Sequence, residues 1–139
     1  MNGQVFLGID FGERRIGLAK SDPSGLIASA HRTITYKVLN KAIDEIVEEA
    51  EKLKVAGIVV GYPVAPDEGS GGERCRMVDG FIEKLKKKYD GPIYRMDERD
   101  STEEAKEIMH RYGKKTGKER EKLDRLAAAV ILQRYLDER

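Results

Sequence analysis

Two periods of hydrophobic positions run through the chain, and their order outlines a fold. From Gln4 to Asp10, Val5, Leu7 and Ile9 fall at every second position, which predicts a strand. Gly12 to Arg15 reads as a turn, and Ile16 to Lys20 returns as a second strand. Asp22, Pro23 and Gly25 mark another turn before a third strand from His31 to Tyr36. Short strands separated by tight turns predict an antiparallel meander.

The period then lengthens. Ile43, Ile46, Val47, Ala50 and Leu53 recur at helical spacing, and Asp44, Glu45, Glu48, Glu49 and Glu51 between them predict a solvated face. AGIVVGYP is a short and nearly continuous apolar run, as expected of a strand covered on both sides. A glycine-rich loop, APDEGSGGE, leads to a helix with Val78, Phe81, Ile82 and Leu85 on its apolar face. PIYRMD predicts a fifth strand, and Ser101-Thr-Glu-Glu104 predicts a capping box for a helix through about Tyr112. GKKTGK then leads to a last helix ending near Leu136. The order β-β-β-α-β-α-β-α-α predicts an α/β fold in one domain, residues 1–139. Its five-stranded mixed sheet has three antiparallel strands, two more joined in parallel, and helices on both faces.

The first strand, the AGIVVG strand and the PIYRMD strand should run parallel. Their carboxyl ends then share the sheet edge where open α/β folds place ligands. Asp10 ends the first of these strands, and Asp97 and Glu98 end the last. A fourth acid comes from the final helix. Counting from Asp124, Ala127, Ala128, Ile131 and Tyr135 fall at +3, +4, +7 and +11, so the carboxylate lies in an apolar stripe whose alanines allow close packing on the sheet. Gathered carboxylates repel one another and are costly to bury, and divalent metal resolves both problems. Mg²⁺ or Mn²⁺ prefers oxygen ligands, and two such ions can serve the attacking and departing oxygens of a phosphodiester. Asp10 is then expected to be a metal ligand, and Gly12 to leave room for a phosphate. Each acid taken singly also has a plainer use: a turn closed by Asp10, an ion pair of Asp97 or Glu98 with Arg95 or Arg99, a surface acid at Asp124.

Composition narrows the partner. Across 139 residues, 26 Lys and Arg face 25 Asp and Glu, a net charge of +1, so no overall field draws the molecule to a polyanion. Basic residues are instead concentrated locally. Seven Lys or Arg against three acids lie between Arg111 and Arg125, including Lys114, Lys115 and Lys118; KLKKK spans 84–88, and Arg74 and Arg76 adjoin the glycine-rich loop. With Arg99, these can hold a nucleic-acid backbone without reading its sequence. The single Cys75 excludes an intramolecular disulfide, and Cys75, His31 and His110 are too few for a Cys/His zinc site. With no leader pattern and no long apolar run, the expectation is a cytoplasmic protein without a membrane segment.

LGIDFGERRIGLA, IVVGYP, MDERDSTEEA and KLDRLAAAVILQRYL together, in that order and spacing, resemble the YqgF/RuvX family, related to Holliday-junction resolvases within the ribonuclease H-like superfamily. The resemblance covers nearly the whole chain. It implies a ribonuclease H-like fold and a metal-dependent nuclease maturing the 5′ end of precursor 16S ribosomal RNA, with branched DNA as the alternative substrate. A non-cleaving RNA-binding factor in ribosome assembly is a further alternative. By matching position Asp10 is the first-strand acid, Glu98 the second and Asp124 the last-helix acid, with Asp97 an alternative or additional ligand. The chain departs from the family's usual pattern at Val64 to Gly69. In the wider superfamily a catalytic acid often ends the strand beside the first, where this chain has Gly61-Tyr62-Pro63. Either a monomer or a homodimer is compatible, since a junction has two-fold symmetry and an RNA substrate does not. G-I-D-F-G also resembles the phosphate turn of actin-like ATPases, but those close two such domains over a nucleotide and this length supplies one.

Overall fold

In a computed structural model, the described residues are 4–64, 72–112 and 119–139. The elements follow the expected order. β1 (Phe6–Phe11), β2 (Arg15–Ser21) and β3 (Ala28–Thr35) form the meander. Then come α1 (Leu39–Leu53), β4 (Gly57–Tyr62), α2 (Glu73–Lys86), β5 (Ile93–Asp97), α3 (Ser101–Tyr112) and α4 (Glu119–Glu138). The sheet order is β3-β2-β1-β4-β5, with β1–β2 and β2–β3 antiparallel and β1–β4 and β4–β5 parallel.

Alternation in the strands assigns two cores. Leu7, Ile9, Phe11, Ile16, Leu18, Ile58 and Val60 pack with Ile43, Ile46, Val78, Phe81, Ile82 and Leu85 of α1 and α2. On the other face Phe6, Ala19 and Val59 meet Ala128, Ile131, Leu132 and Leu136 of α4. β4 is buried along its whole length, as its continuous apolar run predicts. α4 also carries α3 on its outer side, so its apolar positions spread beyond one stripe.

Two local expectations are corrected. Glu49 of the acidic run is buried, not solvated: its carboxylate meets His31 Nε2 at 2.7 Å and Arg32 Nη1 at 3.2 Å. The cause is a β-bulge. Leu18 pairs with Arg32 and Ala19 with Ala30, so His31 has no partner across the ladder, and it and Arg32 both reach α1. The capping box does not form either. The Ser101 amide donates to the Glu98 carbonyl, and the Glu104 carboxylate bonds Arg134 at 2.7 Å instead of turning back to the helix start. Among the described residues no helix is long and apolar enough to cross a membrane.

Candidate metal centre

The carboxyl ends of β1, β4 and β5 share one rim, and glycines make that rim habitable. Asp10 lies opposite Gly17 in the β1–β2 ladder. A Cβ built on Gly17 would stand 2.0 Å from the Asp124 carbonyl oxygen, so α4 rests directly on this glycine. Gly8, two residues before Asp10, does the same beneath Leu132, whose Cβ would be 2.7 Å away. The first turn of α4 is pinned by Thr33 Oγ1, which donates to the Glu121 carbonyl at 2.6 Å. Asp124 is thereby carried down beside Asp10.

On its other side Asp10 adjoins β4. Ile9 pairs with Val60, so the next step along the strands sets Asp10 beside Gly61. A Cβ on Gly61 would stand 2.8 Å from Glu98 Oε1, so the Glu98 carboxylate occupies the space a side chain would fill. Glu98 is held there by its amide, which donates to the Tyr62 carbonyl at 2.7 Å. This accounts for the missing acid at the end of β4: the neighbouring strand supplies a gap, and the carboxylate arrives from one strand further over.

The electrostatics follow from this crowding. Burial first, then the charge of Glu98, push the Asp10 carboxyl up to about 7; the Arg74 guanidinium pulls the other way, and Asp124 adds a smaller push. Glu98 is also pushed up by burial, partly offset by the Arg74 guanidinium. Its Oε1 is buried and has no hydrogen-bond partner among the described residues. Two arginines answer the outer acids. Arg15 Nε bonds Asp124 Oδ2 at 2.6 Å, and Arg74 Nη2 lies 3.5 Å from Glu98 Oε2 while donating to the Phe11 carbonyl.

Asp97, read from the sequence as a ligand beside Glu98, is turned elsewhere. Its carboxylate takes the Arg99 amide at 2.8 Å and the Arg99 guanidinium at 2.7 Å, which holds it below the usual carboxylate range. Strand alternation lets one of the two neighbours face the rim, and it is Glu98. Gly12 also has another use than expected. A Cβ there would stand 2.5 Å from the Arg15 carbonyl oxygen, so the β1–β2 turn itself needs a glycine at this position. Arg76 is exposed on α2, and Arg99 lies at the rim. Lys114, Lys115 and Lys118 lie outside the described residues, as do residues 65–71 of the glycine-rich loop. Gly17, Gly61, Thr33 and Arg15 complete the site without having been singled out in the sequence. The glycines within strands next to Asp10 and before Tyr62 were the available signal.

As they stand, no three Asp, Glu, His or Cys side chains among the described residues are gathered closely enough to hold an ion. The donor set nevertheless fits a divalent cation. All its oxygens are hard, one buried oxygen lacks a partner among the described residues, and three carboxyl groups outnumber the two guanidiniums facing them.

Comparison with known proteins agrees with this architecture. The model of a family described as "RuvX: Holliday junction resolvase" matches residues 4–138. A Syntrophus aciditrophicus protein named "Putative pre-16S rRNA nuclease" is 41% identical over 131 residues, covering 94% of this chain and 87% of that one. A Chloroflexus aurantiacus protein of the same name is 36% identical over 139 residues, covering 100% and 90%. Among solved structures, Thermus thermophilus RuvC superposes with a TM-score of 0.56 at 14% identity, over 91% of this chain and 92% of RuvC. The fowlpox virus Holliday junction resolvase gives 0.58 at 9% identity, over 97% and 99%. These two likenesses show the fold alone, the ribonuclease H-like arrangement that this chain shares with RuvC.

Proposed function

Since the chain belongs to the RuvX family of Holliday junction resolvases, we propose that it is a metal-dependent endonuclease that cuts structured RNA, acting in the cytoplasm on the 5′ end of precursor 16S ribosomal RNA. The observation that carries this reading is the seating of Asp10, Glu98 and Asp124 around Gly17 and Gly61, three acids from three elements on one rim. A protein that only bound RNA would gain nothing from carboxylates facing phosphates. The RNA substrate is taken from the names of relatives at 36 to 41% identity over almost the full chain.

Asp10, Glu98 and Asp124 would hold Mg²⁺ or Mn²⁺, and their six carboxylate oxygens are enough donors to be shared between two ions. Such ions supply a water of lowered pKa and charge at the departing 3′ oxygen. The chain's own contribution is placement. Asp10, mostly buried and with its proton affinity raised, is the group that gains most from a cation. Glu98 brings an oxygen with no competing hydrogen bond. Arg74 sits beside Glu98 at the start of α2 and limits the net charge of the rim. Exposed Arg76, Arg99 at the rim, and Lys114, Lys115 and Lys118 are the residues we assign to the nucleic-acid backbone.

Branched DNA is the second reading, favoured by the family's description and by the shared RuvC-like fold. The test uses a labelled precursor 16S 5′-leader RNA and a four-way DNA junction, each with Mn²⁺, Mg²⁺ or EDTA. Metal-dependent cutting of the RNA by the wild type, lost in Asp10→Asn, is the expected result. Cutting of the junction alone would transfer the function to DNA. Binding without cleavage of either would leave an assembly factor for the ribosome.

A further inference from the structure

Arg15 stands between two fixed backbones. As the first residue of β2 it pairs with Thr35 across the ladder, and its carbonyl oxygen fills the space over Gly12. It lies on the same face as Gly17 and Ala19, the residues on which α4 packs. Its partner Asp124 is equally fixed, since the Asp124 carbonyl rests on Gly17 and the preceding turn is tied to Thr33. The link between the two is therefore one of side chains alone: a charged bond of 2.6 Å, with the arginine side chain 31% exposed and the aspartate 19%.

We propose that Arg15 is a phosphate clamp restrained by Asp124, which lets go of the carboxylate when Asp124 serves a cation and then grips the nucleic-acid backbone beside the cleaved bond. This rests on the reading of Asp10, Glu98 and Asp124 as metal ligands. The bond takes one oxygen of Asp124, Oδ2, and a cation brought onto this carboxylate draws charge from it and repels the guanidinium left alongside, so the pair is weakened when Asp124 serves an ion. Arg15, released at the rim, presents a planar fork of donors suited to a phosphodiester. Arg74 does not share this freedom. It also donates to the Phe11 carbonyl, and its contact with Glu98 is much longer. Nucleic-acid binding is thereby coupled to metal binding through one side chain.

The test compares wild type, Arg15→Ala, Arg15→Lys and Asp10→Asn, with thermal melting in EDTA to establish that each is folded. Mn²⁺ affinity is measured by calorimetry without nucleic acid. The affinity for a labelled RNA hairpin and for a four-way DNA junction is measured by anisotropy, with Mn²⁺ and with EDTA. Arg15→Ala is expected to bind Mn²⁺ about two- to fivefold more tightly than wild type, because the competitor for Asp124 is gone. The gain in nucleic-acid affinity that Mn²⁺ gives the wild type should fall by about tenfold in the same variant. Arg15→Lys, which keeps the charge without the fork, should lie between them on both measures. Unchanged or weaker Mn²⁺ binding by both Arg15 variants would overturn the restraint, and an undiminished gain would overturn the clamp. Absence of Mn²⁺ binding in the wild type, or an affinity untouched by Asp10→Asn, would instead bring down the metal-centre reading itself.

Discussion

Gly61 and Glu98 share one space: a Cβ on the glycine would lie 2.8 Å from the glutamate's Oε1 and 2.6 Å from Ile131 Cδ1. Both contacts are with the far ends of side chains, which can give way. Gly61→Ala should therefore fold, at a cost of about 1 to 3 kcal/mol for overpacking. The displaced carboxylate is Glu98, so Mn²⁺ affinity should fall by more than the loss of stability suggests. Calorimetry and urea unfolding on the same variant test this, and a wild-type Mn²⁺ affinity would refute the shared-space account.

Gly17 faces backbone instead. An alanine Cβ there meets the Asp124 carbonyl oxygen at 2.0 Å, and no rotamer relieves it; α4 would have to lift from β2. Gly17→Ala should cost about 3 kcal/mol or more, at the upper end of overpacking penalties. Gly80 is the control, a glycine within α2 whose added Cβ would touch nothing within 4 Å. Gly80→Ala should stabilise the protein by about 0.5 to 1 kcal/mol through helix propensity. Denaturant midpoints that moved equally in the two variants would contradict the packing described.

How much of this was legible in the sequence depends on the range of the interaction. The element order was, because alternation in β1 and helical spacing in α1 and α4 are written locally. The placing of Asp10 and Glu98 on one rim followed from the direction of the parallel strands, and that of Asp124 above it from the apolar stripe of α4. What failed depended on contacts between elements distant in the chain. Glu49 looked solvated in its own helix and is buried because a bulge at His31 aims two consecutive residues at it. Ser101 and Glu104 have capping-box spacing, but Arg134, thirty residues on, takes the glutamate.

Asp97 and Glu98 are neighbours with opposite fates, and mutation should separate them. Asp97→Asn loses a pair with Arg99 at the protein surface, for which less than about 1 kcal/mol is expected, and cleavage should stay within a few-fold of wild type. Glu98→Gln removes the charge beside Asp10 and should abolish Mn²⁺ binding and reduce cleavage by roughly a hundredfold or more. Equal loss in both variants would return Asp97 to the ligand set.

Asp10 sets a pH-dependent penalty on the protein in EDTA. Its carboxyl is raised from 3.8 to about 7, with burial the largest cause. Between those values the folded chain keeps a proton that the unfolded chain has lost, so stability falls as pH rises through the window and stays low above it. Asp10→Asn cannot titrate and escapes this fall, though a buried amide still carries a desolvation cost of its own. The variant should equal or trail wild type near pH 4 and exceed it above pH 7 by on the order of 2 kcal/mol. Mn²⁺ should reverse the order. Wild type would then gain stability at pH 8 by binding the ion in the folded state alone, while the variant gains little. Melting curves at pH 4, 6 and 8, in EDTA and in Mn²⁺, give the comparison. A wild type whose stability in EDTA did not decline relative to Asp10→Asn between pH 4 and 8 would mean that the carboxyl is not held in the crowded, buried setting on which the metal assignment depends.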